Sequence, residues 1–181
     1  PDVSSAASDV YKRQGRVVYS VFKELDYATS LVDGPYSQSN FAAAFRAVQG
    51  SRNPDLVKMV DFDEYYPSYQ SAASFLSAPI IDGDEPVGIL VFQIPIDQIN
   101  ITMTNSGSWS SVGLGRSGET YMVSNDYSMR NDSRLLIEDP DTFFVNLQKQ
   151  NILAEKITRI RSLQSSILIQ NAKSEATIRA I

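Results

Sequence analysis

The centre of the sequence, residues 72–95, contains two apolar runs separated by a short acidic loop. The runs are residues 73–81 and 87–94, and Asp82-Gly83-Asp84-Glu85 joins them. An Asp-Gly pair between apolar runs is a strong hairpin signal, because glycine accepts a positive φ at no steric cost. Both runs are apolar at successive positions. We therefore expect a central antiparallel pair with one face against helices and the other face largely covered.

The composition excludes several classes of function. The 181 residues include no cysteine and no histidine, so the usual zinc sites and Ser-His or Cys-His catalysis cannot be built. A net charge of −5 disfavours nucleic acid and anionic membrane surfaces as partners. No apolar run reaches the roughly 20 residues that a membrane-spanning helix needs. We expect a globular protein that is not an enzyme.

Residues 1–14 differ from the sequence that follows. They lack periodicity, and Asp9-Val10-Tyr11-Lys12-Arg13-Gln14 resembles the translation of a common transposon sequencing adapter. We therefore expect residues 1–14 to be an assembly scar or disordered, and leave them out of the fold prediction. The Ser- and Gly-rich residues 104–118 predict a linker between two domains, residues 15–103 and 119–181.

Strand and helix signals follow one another in both predicted domains. Residues 16–25 and 56–62 predict strands, and Ser39 or Asn40 can cap a helix between them with an apolar stripe of Phe41, Ala44, Phe45 and Val48. Residues 96–103 suit a short helix. In the second domain, residues 119–124 and 129–136 predict strands. Asp139-Pro140 then predicts the start of a helix whose buried stripe is Phe143, Leu147, Ile152, Leu153, Ile157 and Ile160. This order predicts an α+β fold made of two partial copies of one unit.

Two local motifs do not predict a cofactor or a metal. Gly113 to Gly118 matches GxGxxG, but a Ser-rich loop precedes it and a β-rich segment follows, so a flexible linker is the better interpretation. Asp61, Asp63 and Glu64 lack the glycine and the terminal glutamate of a calcium loop. We expect no cofactor and no metal.

Polar residues within the hairpin sheet are the candidate ligand-binding residues. Lys23 is expected on one strand face with Tyr19 and Val21, and Asp61 ends a neighbouring strand. Polar groups on an apolar sheet need partners, which are each other or a ligand. A lysine, an aspartate and several tyrosines around a pocket suit a small zwitterion or carboxylate. The candidates are Tyr19, Lys23, Asp61, Tyr65, Tyr66, Ser68 and Gln93; the alternative is an internal Lys23–Asp61 pair without a ligand.

An ordered set of short motifs resembles the double Cache sensor region of bacterial methyl-accepting chemotaxis receptors. The matching segments begin with GRVVYSVFKELDYATSL at residues 15–31 and include Gly34-Pro35-Tyr36, Asp61-Phe62, Tyr66-Pro67-Ser68, the strand at 88–95, Gly118-Glu119-Thr120-Tyr121 and Met129-Arg130. The resemblance implies two PAS-like modules outside the cytoplasmic membrane, each an antiparallel sheet with flanking helices. The first module lacks its first strand and N-terminal helix, and the second is only the start of a module. The Arg-Trp-Tyr cluster with which the family binds amino acids is absent.

The resemblance implies a small-ligand sensor region of a transmembrane receptor, located in the periplasm. The membrane would be reached only through segments absent from this sequence, and the full receptor would be a homodimer. Related sensor regions occur on histidine kinases and cyclases, so the output stays open. Two alternatives also stay open. One is a structural or dimerisation module with its interface on residues 143–160, and the other is a hydrolase that uses carboxylates alone.

Overall fold

The chain divides into two units, Pro1–Pro95 and Ile96–Ile181. The structure, a computed structural model, describes residues 8–11 and 15–181. The boundary lies before residue 96, and the segment 104–118 that was predicted to link two domains belongs to the second unit. Each unit is described by itself.

The first unit contains a five-stranded antiparallel sheet with the strand order β2-β1-β5-β4-β3. A short helix, α1, precedes β3, and a 3-10 turn at Tyr66–Ser68 joins β3 to β4. The elements are β1 (Ser8–Tyr11), β2 (Val17–Tyr19), α1 (Asn40–Val48), β3 (Lys58–Tyr65), β4 (Ser71–Asp82) and β5 (Glu85–Ile94).

The predicted hairpin is confirmed as β4 and β5. Their pairing runs from Ser74 opposite Ile94 to Asp82 opposite Glu85, which leaves a two-residue loop. Gly83 occupies the first loop position with a φ of 60°. A positive φ at this position is what a tight hairpin turn needs, and it explains the glycine. Two residues from the loop the register shifts, so that Ile81 faces Pro86 while Ile80 faces Gly88.

Helix α1 covers one face of this sheet, as the helical spacing predicts. The Ser39 hydroxyl caps the helix by accepting from the Ala42 amide at 3.2 Å. The Asn40 amide donates to the Ala73 carbonyl at 2.6 Å and anchors the helix to β4. The core of the first unit comprises Val17, Leu31, Phe41, Ala42, Ala44, Phe45, Val48, Tyr65, Ala73, Phe75, Ile89 and Val91.

The opposite face of the sheet is more open than the sequence predicted. Phe92 lies opposite Leu76, which lies opposite Met59, so these three side chains form one row across β5, β4 and β3. Phe92 is 38% exposed and Met59 is 58% exposed. The apolar runs had predicted that both faces of the sheet are buried. Among the described residues, only the face that packs against α1 is closely covered.

The first predicted strand, residues 16–25, is mostly wrong. Strand β2 ends at Tyr19, because the chain reverses and pairs with itself: the Val17 amide donates to the Thr29 carbonyl at 2.9 Å, and the Ala28 amide donates to the Val17 carbonyl at 3.2 Å. Lys23 adopts a φ of 48°, which is incompatible with a strand. Lys23 consequently does not share a strand face with Tyr19 and Val21.

Residues 8–11 form a strand within the segment that was expected to stand outside the fold. Strand β1 pairs with β5 from Ser8 opposite Phe92 to Tyr11 opposite Ile89, and with β2 on its other side. The first unit therefore has a strand at the position that was predicted to be missing. The rest of the predicted scar, residues 1–7 and 12–14, lies outside the described residues, and the origin of the segment stays a prediction.

The second unit is mainly helical in the residues that the structure describes. Asp139 caps α4 by accepting from the Thr142 amide at 3.1 Å, as predicted, and Ser174 caps α6. A core cluster joins α3, α4 and α5 through Leu136, Phe143, Phe144, Leu147, Ile157 and Ile160. The helices are α2 (Ile96–Thr104), α3 (Arg134–Glu138), α4 (Pro140–Lys149), α5 (Ala154–Leu163) and α6 (Glu175–Ala180), with a 3-10 turn at Trp109–Val112.

Residues 119–136 do not form the two predicted strands. An isolated bridge joins Val123 to Met129, and α3 begins at Arg134. The Asn131 side chain takes the place of a strand partner, because its oxygen accepts from the Met122 amide at 2.6 Å. The helix predicted from Asp139 onward is two helices, and Ile152 and Leu153 between them are 36% and 59% exposed rather than buried.

The predicted linker is held in the second unit by one buried arginine. The Arg134 guanidinium lies 4.7 Å from the ring centre of Trp109, and its Nη1 donates to the carbonyls of Gly115 and Gly118 at 3.1 and 2.7 Å. Trp109 and Arg134 are 4% and 8% exposed. The glycines of the GxGxxG match therefore supply carbonyls to an arginine of their own chain.

Candidate functional site

A cleft of about 730 Å³ lies between two loops of the first unit. The first loop follows β2, and the second contains the 3-10 turn between β3 and β4. The volume falls within the range of about 300–1,000 Å³ that is usual for small-molecule sites. The lining residues are Phe22, Lys23, Glu24 and Leu25 from the first loop, and Tyr66, Pro67, Tyr69 and Gln70 from the second.

A buried hydrogen bond ties the two loops together beside the cleft. The Tyr65 hydroxyl donates to Oδ2 of Asp26 at 2.6 Å. Asp26 directly follows the lining residue Leu25, and Tyr65 directly precedes the lining residue Tyr66. The two side chains are 4% and 1% exposed. Any movement that separates the loops must therefore stretch or break this bond.

The Tyr65 ring links the cleft to the core of the unit. Its centre lies 5.8 Å from that of Phe41 in α1, 5.1 Å from that of Phe75 in β4 and 6.3 Å from that of Tyr36. Edge-to-face packing at these distances fixes the orientation of an aromatic ring. The hydroxyl that reaches Asp26 is consequently placed by the same contacts that join helix to sheet.

Asp26 is a buried carboxylate with only one oxygen satisfied. Its carbonyl accepts from the Thr29 amide and hydroxyl at 3.1 and 2.6 Å, which fixes the backbone. Oδ1 has no hydrogen-bond partner among the described residues. Burial of a polar oxygen without a partner costs free energy, about 1–3 kcal/mol and more when the group is charged.

Near this buried group, the pKa of one acid and the pKa of one phenol are raised. Burial raises the pKa of Glu24, and the charge of Asp26 raises it further. Burial likewise raises the pKa of Tyr36, with added contributions from Asp26 and then Tyr66. Desolvation and nearby negative charge both disfavour the ionised form of an acid, so both causes act in the same direction. The base of the cleft is therefore a region that disfavours further negative charge.

Three of the eight lining residues adopt a left-handed backbone conformation that is costly for residues other than glycine. The φ angles are 48° for Lys23, 55° for Tyr69 and 62° for Gln70. Each such residue costs on the order of 1–2 kcal/mol. Strained backbone of this kind concentrates at functional sites, and here it occurs on both sides of the cleft.

The walls of the cleft combine exposed apolar surface with two opposite charges. Phe22, Leu25, Tyr66 and Tyr69 are 51%, 64%, 62% and 90% exposed. Lys23 and Glu24 supply the charges. Apolar walls with a few polar groups are the usual composition of a site for a small organic molecule. Among the described residues there is no group of acids that could hold a metal ion, and no helix long and apolar enough to cross a membrane.

The structure brings some of the predicted site residues to this cleft and leaves others elsewhere. Lys23 and Tyr66 line it, and Tyr65 lies directly behind it. Ser68 accepts from the Gln93 amide at 3.3 Å, so these two residues satisfy one another beside the second loop.

Asp61 and Tyr19 are not lining residues. Asp61 is exposed, and its carboxylate accepts from the Phe62 amide at 2.7 Å. Tyr19 is 50% exposed on β2. Since Lys23 is also exposed, the geometry does not place Lys23 and Asp61 together inside a buried pocket.

Sequence reasoning missed Asp26 and Glu24. The only available signal was a pair of acids at the end of an apolar and aromatic run. Nothing local distinguishes a buried carboxylate from a solvated one, because the burial of Asp26 depends on Tyr65, which is 39 positions away.

Comparisons with known proteins give only distant structural similarity. No family model matches the chain, and no curated protein sequence matches it. The ligand-binding domain of the Pseudomonas fluorescens chemoreceptor CtaA, solved with L-serine, shares 13% identity at a TM-score of 0.45 over 76% of this chain and 48% of that domain. A Vibrio cholera VqmA–ligand–DNA complex shares 16% identity at a TM-score of 0.41 over 88% of this chain and 75% of VqmA. The chain matches about half the length of the CtaA domain.

Proposed function

We propose that the first unit is the small-ligand-binding module of a bacterial transmembrane receptor, and that the cleft between the two loops is its binding site. The observation that supports this most directly is the cleft itself: a volume of about 730 Å³, exposed aromatic walls and strained backbone on both sides. The proposed role is binding and signalling without catalysis.

The sequence motifs support the type of receptor. The resemblance to the double Cache region of methyl-accepting chemotaxis receptors covers residue 15 onward. An antiparallel sheet with a helix on one face, as in the first unit, is what that resemblance implies for a PAS-like module. We propose a periplasmic location, a homodimeric full receptor and chemotaxis as the output, with a histidine kinase or a cyclase as the alternative. The second unit is proposed to be the start of a second module.

The proposed signal is a shift in the relative position of the two cleft loops. A ligand can favour one conformation only by the difference between its affinities for the two conformations. Contacts with both loops supply such a difference, because the ligand binds fully only when the loops have the correct separation. The Tyr65–Asp26 hydrogen bond would transmit that separation to β3 and α1.

The test is a thermal-shift screen of the full chain against amino acids, monocarboxylates and primary amines. A ligand at 100 times its Kd adds about 2.7 kcal/mol of stability. For a unit of about 95 residues, such as the first one, each kcal/mol raises Tm by about 4–8 °C. We expect at least one chemical class to give a saturable shift that Tyr66→Ala and Phe22→Ala abolish.

The control variant is Met59→Ala, which removes a side chain that is 58% exposed, against 62% for Tyr66, and does not line the cleft. We expect it to keep every shift. Absence of any shift, or shifts that survive both cleft variants, would contradict the proposed function.

The alternative of a dimerisation module through residues 143–160 stays a prediction. Phe143, Leu147, Ile157 and Ile160 pack in the core of the second unit, so an interface there would use the exposed Val145, Ile152 and Leu153 instead.

A further inference from the structure

A second cavity lies at the hairpin end of the first unit, between the end of α1 and the start of β5. Its volume is about 340 Å³, and it shares no lining residue with the cleft between the two loops. Its base is formed by five buried residues without a polar side-chain atom, Val48, Pro79, Pro86, Gly88 and Ile89. The exposed residues Gln49, Gly50 and Arg52 form its rim. This volume and this apolar base are typical of a small-molecule site.

The strands around this cavity contain residues that strands usually avoid. Pro79 lies two positions beyond Ser77, the last residue of β4 that pairs with β3, and Pro86 lies where the register of β4 and β5 shifts. Proline is tolerated at such edges and bulges, and a glycine within a strand, such as Gly88, often marks the close approach of a ligand or of another backbone. Proline and glycine lose no side-chain entropy on ordering, so these walls are already in place for a ligand.

One ion pair joins the rim of the cavity to the hairpin. Arg52 Nη2 lies 3.1 Å from Oε1 of Glu85, the residue directly before Pro86. The loop that carries Arg52 is fixed to the end of α1, because the Ser51 amide donates to the Val48 carbonyl at 3.1 Å. Both charged side chains are more than half exposed, so the pair itself adds little to the stability of the unit. A ligand can therefore pass it at small cost.

The charges at this rim disfavour a charged ligand. Arg52 is the one charged residue among the described residues that line the cavity, and Glu85 already neutralises it. Asp82 and Asp84 add negative charge beside Glu85 in the hairpin, so an anion would have to displace Glu85 from Arg52 in the presence of three carboxylates. A cation would enter a base that offers no side-chain acceptor, and the burial of an unpaired charge is costly. An uncharged molecule avoids both costs.

We propose that this cavity is a second ligand site, which binds a compact, uncharged apolar molecule or the apolar end of a larger one. The inference goes beyond the proposed function, because the site has its own lining residues and does not depend on the ligand of the cleft. Removal of apolar surface from water drives the binding. The bound molecule contacts α1 and both arms of the hairpin, so it stabilises the packing of the helix against β4 and β5.

Probes built on one ring separate an uncharged ligand from a charged one. Cyclohexanol, cyclohexylamine and cyclohexanecarboxylate carry a hydroxyl, a cation and an anion near neutral pH. Amide NMR spectra of the full chain locate each probe, because Gly50, Gly88 and Ile89 have backbone amides at the cavity. We expect cyclohexanol to shift these three amides with one saturable curve, and both charged probes to bind there at least about tenfold more weakly. A charged probe that binds there as tightly, or cyclohexanol that shifts none of the three amides, would overturn the inference.

A variant that fills the base and two that change the rim complete the test. Val48→Phe adds bulk at a buried lining position and should abolish the cyclohexanol shifts, whereas Val57→Phe, the same change at an exposed position that does not line the cavity, should keep them. Arg52→Gln and Glu85→Gln alter only exposed side chains, so they keep the test decisive if Val48→Phe folds poorly.

An uncharged ligand should bind both rim variants within about twofold of the unchanged protein, since a surface ion pair contributes little. A loss of more than about tenfold in either rim variant, or cyclohexanol shifts that survive in a folded Val48→Phe variant, would contradict the inference. The two sites fail separately. If the wider screen finds a ligand for the cleft while cyclohexanol shifts no amide of the cavity, the proposed function stands and the second site is wrong.

Discussion

Replacement of Tyr65 by phenylalanine isolates the hydrogen bond that joins the two cleft loops. The substitution keeps the ring that packs against Phe41 and Phe75 and removes only the hydroxyl 2.6 Å from Asp26 Oδ2. Both oxygens of a 4%-exposed carboxylate are then without a partner. Hydrogen bonds to charged groups are worth about 1.5–3 kcal/mol, so we expect the first unit to lose that much stability.

Urea unfolding followed by far-UV circular dichroism measures this loss, with Tyr69→Phe as the control. Tyr69 is 90% exposed and lies in the same loop, so its hydroxyl should contribute less than about 0.5 kcal/mol. Trp109 is the sole tryptophan and is buried in the second unit, so its fluorescence records that unit separately. The separate record matters because a chain with two units need not unfold in a single transition.

A double-mutant cycle with Asp26→Ala, which removes the acceptor, assigns the loss to the pair. Residues in direct contact usually couple by about 0.5–3 kcal/mol. A loss below about 0.5 kcal/mol in Tyr65→Phe, or additive effects of the two substitutions, would refute the idea that this bond holds the loops together.

Three further predictions concern single positions. Gly34→Ala would place a Cβ 2.3 Å from the Ser30 carbonyl oxygen, so urea unfolding should show a loss of about 1–3 kcal/mol. Arg134→Met removes the donor to two glycine carbonyls and the cation over Trp109, so the second unit should lose about 2–3 kcal/mol and the tryptophan emission should shift to the red. Glu24→Gln should raise Tm at pH 7, since a raised carboxyl pKa in the folded state destabilises the fold above that pKa; the gain should vanish as the pH falls below the ordinary glutamate range, and a gain that persists at low pH would contradict this cause.

The parts of the fold that sequence reasoning found depend on short-range chemistry. Asp82-Gly83 marks a turn that needs one positive φ, and Ser39 supplies a hydroxyl for one amide three positions later. Both signals act over a few residues and favour these structures between apolar segments, so the hairpin and α1 were predictable. The cap at Asp139 is a short-range signal of the same kind.

The parts that it missed depend on partners distant in sequence. Residues 20–25 have strand composition, yet β2 ends because Val17 pairs with residues 28 and 29. Asp26 was not distinguished from a solvated acid because its partner Tyr65 comes from another strand. In the second unit, the Asn131 side chain takes a backbone amide that a strand would have used. In the candidate site, the sequence therefore identified Tyr66 of the second loop and Lys23 of the first, and it missed Glu24 and Asp26.

Residues 8–11 show that strand pairing does not require a particular sequence. The segment was set aside because it resembles an adapter, yet its backbone pairs with β5 at four positions. A position between two strands offers amides and carbonyls on both sides, and any extended segment can satisfy them.

Because β1 lies between β2 and β5 in the sheet, the first unit is sensitive to trimming. A shortened polypeptide beginning at Gly15 would leave the amides and carbonyls of Ile89–Phe92 facing solvent along a newly created sheet margin, and β2 would have no neighbour in the sheet. An unpaired sheet edge of this kind can pair with strands of other molecules. The trimmed polypeptide should therefore self-associate and precipitate at concentrations at which the longer one stays in solution.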